Sequence, residues 1–116
     1  KKAALYVDLL GDIDGVRIQA SRPNTLNARH VFNIWIDTAD RDGIVKNLRH
    51  RGIETVVNYR AIHLHKYFRD SFGYTEGSFP IAEALGETTL SLPFYPNIPE
   101  DHIHTVCLAL ETLLKQ

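Results

Sequence analysis

The sequence predicts an α+β domain in which a small, mainly antiparallel sheet is covered by helices, and three observations carry that reading. From Val31 to Asp37 apolar and polar residues alternate, the period-two signature of a half-buried strand. Near the end, Ile103, Val106, Cys107, Leu110, Leu113 and Leu114 fall on one face of a helix. Between these segments helical and strand patterns are mixed and joined by short connections, and 116 residues with 44% hydrophobic content suffice for one core. The chain is therefore read as a single domain over residues 1–116.

Taken in order, Ala3 to Leu10 sets Leu5 and Leu9 four apart, flanked by Tyr6, Val7 and Leu10, before Gly11 can close a helix. After a turn at Asp12 to Gly15, Val16 and Ile18 alternate with Arg17 and Gln19 as a short strand. Ser21 to His30 contains Pro23 and lacks any period, which makes it a loop. In the strand that follows, Phe32, Ile34 and Ile36 share one face, and Asn33, Trp35 and Asp37 the other.

Asp40 is placed to cap a helix with Ile44, Val45 and Leu48 on its inner face. Arg49, His50 and Arg51 suit its negative end before Gly52, while Gly43 weakens it. Ile53 to Tyr59 predicts a second strong strand, with Ile53, Thr55, Val57 and Tyr59 on one side and Glu54, Val56 and Asn58 on the other. Ile62 to Asp70 suits one or two helical turns, and Gly73 to Pro80 a loop. Pro80 can then open a helix running to about Thr88. Leu90, Leu92 and Phe94 alternate with Ser91, Pro93 and Tyr95, and Pro93 puts that strand at an edge or ends it.

The charge balance, 13 Lys and Arg against 14 Asp and Glu, provides no basic field for nucleic acid or an acidic membrane surface. A single cysteine cannot form an internal disulfide, and no run approaches the roughly 18 apolar residues of a membrane span. These features predict a soluble, cytoplasmic protein. Lys1 to Leu10 shows no initiator Met and no leader pattern, and reads as the edge of something longer.

Six histidines invite a metal reading, but His102 and His104, two apart on a helix, point to opposite sides. His63 and His65 lack a third ligand nearby, so no metal site is expected. Cys107 has core spacing and no adjacent base. Glycine-rich phosphate loops and nucleophile elbows are absent from the sequence. Asn58 to His63 gathers an amide, a phenol, a guanidinium and an imidazole where a strand enters a loop, which suits a binding site. The competing reading has Tyr59 filling core and Arg60 meeting solvent.

The order of motifs along the chain carries a further reading. Asn27-Ala28-Arg29-His30-Val31-Phe32 resembles the Ser-Ala-Trp-His-Leu-Phe that opens the small domain of the DegT/DnrJ/EryC1/StrS family of sugar aminotransferases. Arg51-Gly52-Ile53-Glu54-Thr55 is similar to that family's Gly-Ile-Gly-Thr. Asn58-Tyr59-Arg60-Ala61-Ile62-His63, running on to Tyr67-Phe68-Arg69, resembles its His-Tyr motif with a following His and Tyr-Tyr-Arg. Gly77-Ser78-Phe79-Pro80-Ile81-Ala82-Glu83 and Leu90-Ser91-Leu92-Pro93-Phe94-Tyr95-Pro96 continue in the family's order. Asn58 stands where the family has His, and Arg29 where it has Trp.

The resemblance implies the C-terminal small domain of a fold-type I enzyme, whose pyridoxal phosphate is bound by a larger domain outside this chain. It implies glutamate as amino donor, a nucleotide-linked keto sugar as acceptor, and a homodimer. The aldimine lysine would lie on that larger domain and is not Lys66, so this chain alone is expected to be inactive, with no catalytic residue of its own. His63, Tyr59, Asn58 and His30 are implied as substrate-binding residues on one wall of the cleft. Alternatives from other classes are a stand-alone ligand-binding or regulatory domain, and an interaction module. If the chain is half of a cleft, Leu5, Leu9, Leu10 and Trp35 should be left exposed.

Overall fold

The apolar stripe of the last helix and the apolar face of the central strand meet in one core. In the computed structural model, which describes residues 1–38 and 40–115, the order is α1 (Lys2–Leu10), β1 (Val16–Ile18), β2 (Phe32–Ile36), α2 (Arg41–His50), a 3₁₀ turn (Ile62–Leu64), α3 (Lys66–Phe72), α4 (Pro80–Thr88), β3 (Thr89–Leu92) and α5 (Glu100–Leu114). The α+β class read from the sequence is the observed one.

The sheet has the order β1-β2-β3, antiparallel throughout, with Val16 opposite Ile36, Ile34 opposite Leu90 and Phe32 opposite Leu92. Phe32, Ile34 and Ile36 are fully buried against α1 and α5, with Tyr6, Leu10, Ile103 and Leu110. Tyr6 stacks on Phe32 at 4.7 Å between ring centroids, and its hydroxyl donates to the Pro93 carbonyl at 2.8 Å. That bond satisfies the one polar atom the ring brings into the core. Pro80 occupies the first turn of α4, and Pro99 precedes α5, whose first turn carries Glu100 and Asp101 against the positive helix end.

Asp40 caps α2 by accepting from the Gly43 N–H at 2.8 Å. Gly43 is therefore part of the cap, because a Cβ there would lie 2.0 Å from Asp40 Oδ2. Gly52, at φ 76°, turns the chain out of α2 in a conformation other residues resist.

Two expectations are corrected. The strand over Ile53 to Tyr59 is reduced to one bridge, in which Val56 and Ser91 exchange both backbone bonds, at 3.1 and 2.7 Å. Past that bridge side chains replace the ladder: Thr89 Oγ1 donates to the Asn58 carbonyl at 3.4 Å, and Asn58 Nδ2 to Ser91 Oγ at 3.1 Å. The chain is thereby released to cross to the other face of the sheet. Leu10, expected at the surface, is fully buried, because it lies on the same α1 face as Tyr6; Leu5, Leu9 and Trp35 are half-buried. Large exposed apolar side chains include Leu26 in the β1–β2 loop and a group around α3 and α4, where Ile81 is 78%, Tyr59 74% and Tyr67 67% exposed.

Candidate functional site

The second face of the sheet is the floor of a cavity of about 530 Å³. Asn33, Trp35 and Thr89 project into it from β2 and β3, opposite the core side chains of the same strands. Asn58, Tyr59, Arg60 and His63 form one wall, and Phe68, Tyr74, Phe79 and Leu85 the other. The walls are largely aromatic and the polar groups few and convergent, which is the usual make-up of a small-molecule site.

Asn58, His63 and Arg60 are held from behind. Asn58 donates to Ser91 Oγ, which in turn donates to Asn33 Oδ1, so the amide of Asn58 is tied to both inner strands. His63 is 7% exposed; its Nε2 lies 2.8 Å from Glu83 Oε1, and the rings of Phe79 and Tyr74 stand edge-on to it at 4.9 and 6.3 Å. Backbone N–H donation from Gly77, then from Phe79, and the bond from His63 hold the Glu83 carboxyl below the usual glutamate range. Tyr59 sits at the rim, so the alternative in which it fills core does not hold.

Arg60 is anchored through a relay that starts in the interior. Arg41 is 5% exposed, and its Nη1 donates to the carbonyls of Thr89 at 2.7 Å and Gly86 at 3.2 Å. Its Nε donates to Asp42 Oδ1 at 2.7 Å, and Arg60 Nη2 reaches Asp42 Oδ2 at 2.6 Å. The two guanidinium groups, Arg60's first, keep the Asp42 carboxyl below its ordinary range. Behind the wall, α4 approaches so closely that a Cβ on Gly86 would lie 2.6 Å from the Ala61 nitrogen.

Of the four residues expected to bind substrate, the fold gathers Asn58, Tyr59 and His63 in this cavity. His30 lies apart, exposed in a separate depression with Lys1, Lys2 and Tyr95. No lysine lines the main cavity among the described residues; Lys66 is exposed on α3 and pairs with Asp70. The Cys107 thiol is buried in the core and pushed up to about 11 by that burial. His63 is buried while His65 is exposed, and His102 and His104 are both solvent-facing on α5. No group of three or more His, Cys, Asp or Glu converges among the described residues, and no helix there is long and apolar enough to cross a membrane.

Arg41, Glu83 and Gly86 are not among the site residues expected from the sequence, yet two of them left a signal. An arginine opening α2 opposes the helix dipole, which suggests that it is used for something else. An acid in the first turn after Pro80 is placed to fold back onto N–H groups preceding the helix.

The DegT/DnrJ/EryC1/StrS aminotransferase family matches residues 1–111. Among curated relatives, the erythromycin biosynthesis sensory transduction protein EryC1 of Saccharopolyspora erythraea is 31% identical over 102 residues, 84% of this chain and 27% of its own length. Among solved structures, S. venezuelae DesV in complex with a ketimine intermediate is 28% identical with a TM-score of 0.87, over 99% of this chain and 30% of its own. DesI, crystallised in the presence of its TDP-sugar product, is 26% identical with a TM-score of 0.86, over 99% of this chain and 30% of its own. The chain thus spans less than a third of the length of these relatives.

Proposed function

The chain belongs to the DegT/DnrJ/EryC1/StrS aminotransferase family, and we propose that it is the C-terminal small domain of a pyridoxal-phosphate-dependent enzyme that aminates a nucleotide-linked keto sugar with glutamate as donor. The observation that carries this reading is the cavity on the second sheet face, where Asn58, Tyr59 and His63 converge. The TDP-sugar product in whose presence DesI was crystallised supports a nucleotide sugar as the ligand class.

The residues lining this cavity do not supply an aldimine lysine, because no lysine lines it among the described residues. Pyridoxal phosphate supplies the electron sink for amino transfer, and its site is assigned to polypeptide beyond this chain. What this chain contributes is orientation. Asn58 and His63 offer hydrogen-bonding groups with fixed geometry, Tyr59 adds a hydroxyl and a ring at the rim, and the aromatic walls limit water around a bound sugar. Homodimer formation and a cytoplasmic location belong to the same proposal. His30 is retained as a more distant substrate contact, reached across a subunit or domain boundary.

The test is to incubate the natural polypeptide containing this chain with pyridoxal phosphate, glutamate and nucleotide-linked keto sugars, following 2-oxoglutarate and amino-sugar formation. Coupled appearance of both products is expected. Tight nucleotide-sugar binding without amino transfer would favour a stand-alone binding domain instead.

A further inference from the structure

One ionisable pair joins the cavity wall to the Gly73–Pro80 loop, and its geometry restricts what a ligand can present there. Glu83 accepts the Gly77 N–H on both oxygens, at 3.0 and 2.9 Å, and the Phe79 N–H on Oε1 at 3.1 Å. These bonds favour the ionised carboxylate, which accepts hydrogen bonds and donates none. His63 Nε2, 2.8 Å from Oε1, is therefore the nitrogen that carries the hydrogen. In the neutral ring Nδ1 is then left as a lone-pair acceptor. Nδ1 has no partner among the described residues. It is also not sealed, since the one buried side-chain N or O lacking a partner among them is Thr55 Oγ1. His63 lines the cavity, and with Nε2 committed to Glu83, Nδ1 is the ring nitrogen left for a ligand there.

Resting on the reading of this cavity as the sugar site, we propose that Glu83 is a positioning residue: it locks His63 as the Nε2–H tautomer, so that the cavity accepts a ligand hydroxyl or amine hydrogen at Nδ1. A carbonyl or phosphoryl oxygen at that point would face a lone pair and be disfavoured. The sugar therefore turns a hydroxyl toward His63, and its keto oxygen and the diphosphate lie elsewhere. The edges of Phe79 and Tyr74 restrict ring rotation, and the carboxylate supplies the preference between the two tautomers.

Histidine ring-¹⁵N NMR on the natural polypeptide containing this chain, in alkaline buffer, reads the tautomer directly, with His63→Gln identifying the signal. The expected result is a pyrrole-type Nε2 and a pyridine-type Nδ1. Glu83→Gln, whose amide can present either an oxygen or an N–H to the ring, should yield a mixture. The same variant should bind TDP-glucose and UDP-glucose about 10-fold more weakly, the scale of one lost hydrogen bond, while TDP and UDP alone bind as to the parent. An Nδ1–H ring in the parent, an unchanged tautomer in folded Glu83→Gln, or equal weakening for nucleotides and nucleotide sugars overturns the proposal. If Glu83→Gln does not fold, Glu83→Ala takes its place, with the same shift toward a mixture expected, and an Nδ1–H ring in the parent still overturns the proposal. Failure of the parent to bind either nucleotide sugar would defeat the functional reading, while the tautomer measurement would still decide the role of Glu83.

Discussion

Gly86→Ala perturbs the site from behind, and its effect can be worked from two opposing terms. Alanine in a helix interior is favoured over glycine by about 1 kcal/mol. Against this, the new Cβ would lie 2.6 Å from Ala61 N, 3.2 Å from Arg60 C and 3.3 Å from Arg60 Cα. All three atoms are backbone, so α4 and the cavity wall must move apart, an overpacking cost of about 1–3 kcal/mol. The net expectation is a destabilisation of about 1 kcal/mol, roughly 4–8 °C in Tm for a domain near this size. The geometric consequence is larger than the energetic one, because Tyr59, Arg60 and His63 ride on the displaced segment. Trp35, the single tryptophan, lines the same cavity, so its emission reports the movement. Gly43→Ala is the control: its Cβ meets only the Asp40 carboxylate, so the lost cap and the gained propensity, each about 1 kcal/mol, nearly cancel. Urea unfolding and fluorescence should therefore separate the two variants. A Gly86→Ala chain as stable as the parent, with unchanged Trp35 emission, would refute the close approach on which the site geometry depends.

In the natural polypeptide containing this chain, His63→Ala should impair the sugar half-reaction by about 1–3 kcal/mol and leave the glutamate half-reaction near parental rates; equal loss in both would contradict a sugar-side role. Treatment of the chain with pyridoxal phosphate and borohydride, followed by peptide mapping, should label no single lysine stoichiometrically, and such labelling of Lys66 or any other would sink the assignment of the cofactor site elsewhere. The Asp42 and Glu83 carboxyls are lowered in the folded state, so their contribution is present above the ordinary carboxylate pKa and is lost as pH falls through the folded values. The urea midpoint should accordingly drop below about pH 4, and Asp42→Asn and Glu83→Gln should flatten that drop; parallel profiles for parent and variants would count against these pairings.

Periodicity located what the core dictates. Phe32, Ile34 and Ile36 on β2, and the α5 stripe from Ile103 to Leu113, are buried as their spacing required, because burial against a hydrophobic layer selects one face of each element. The segment Ile53 to Tyr59 misled for a related reason. Its apolar content satisfies strand propensity, but a ladder needs a partner, and the side chains of Thr89 and Ser91 take over beyond the single Val56 bridge. Leu10 misled through its position near the start of the chain, where exposure was inferred from location and not from its shared helix face with Tyr6. Gly43 was read as a helix defect, whereas it leaves room for the Asp40 cap.

The site was half legible because it occupies the face of the sheet whose sequence looks like a solvent face. Asn33 and Trp35 alternate with the core residues of β2, and Thr89 and Ser91 do so on β3, a pattern that ordinarily means exposure to water. Yet Thr89 is 3% and Ser91 5% exposed, covered by a layer that the α2 to β3 connection lays over them. Polar side chains are kept in such a place only when they are bonded. Ser91 joins Asn58 to Asn33, Thr89 accepts Arg41 on its carbonyl, and the buried guanidinium of Arg41 leads through Asp42 to Arg60. Hydrophobic patterning gives no weight to such links, which, apart from the neighbouring Arg41–Asp42 pair, connect residues 18 to 58 positions apart in sequence. The motif from Asn58 to His63 could be found as a cluster of binding chemistries, but the residues that hold it emerge only when the second sheet face is seen to be covered. That covering turns an apparent solvent face into the floor of a cavity, and makes Asn33, Ser91, Arg41 and Glu83 as much a condition of the site as His63 itself.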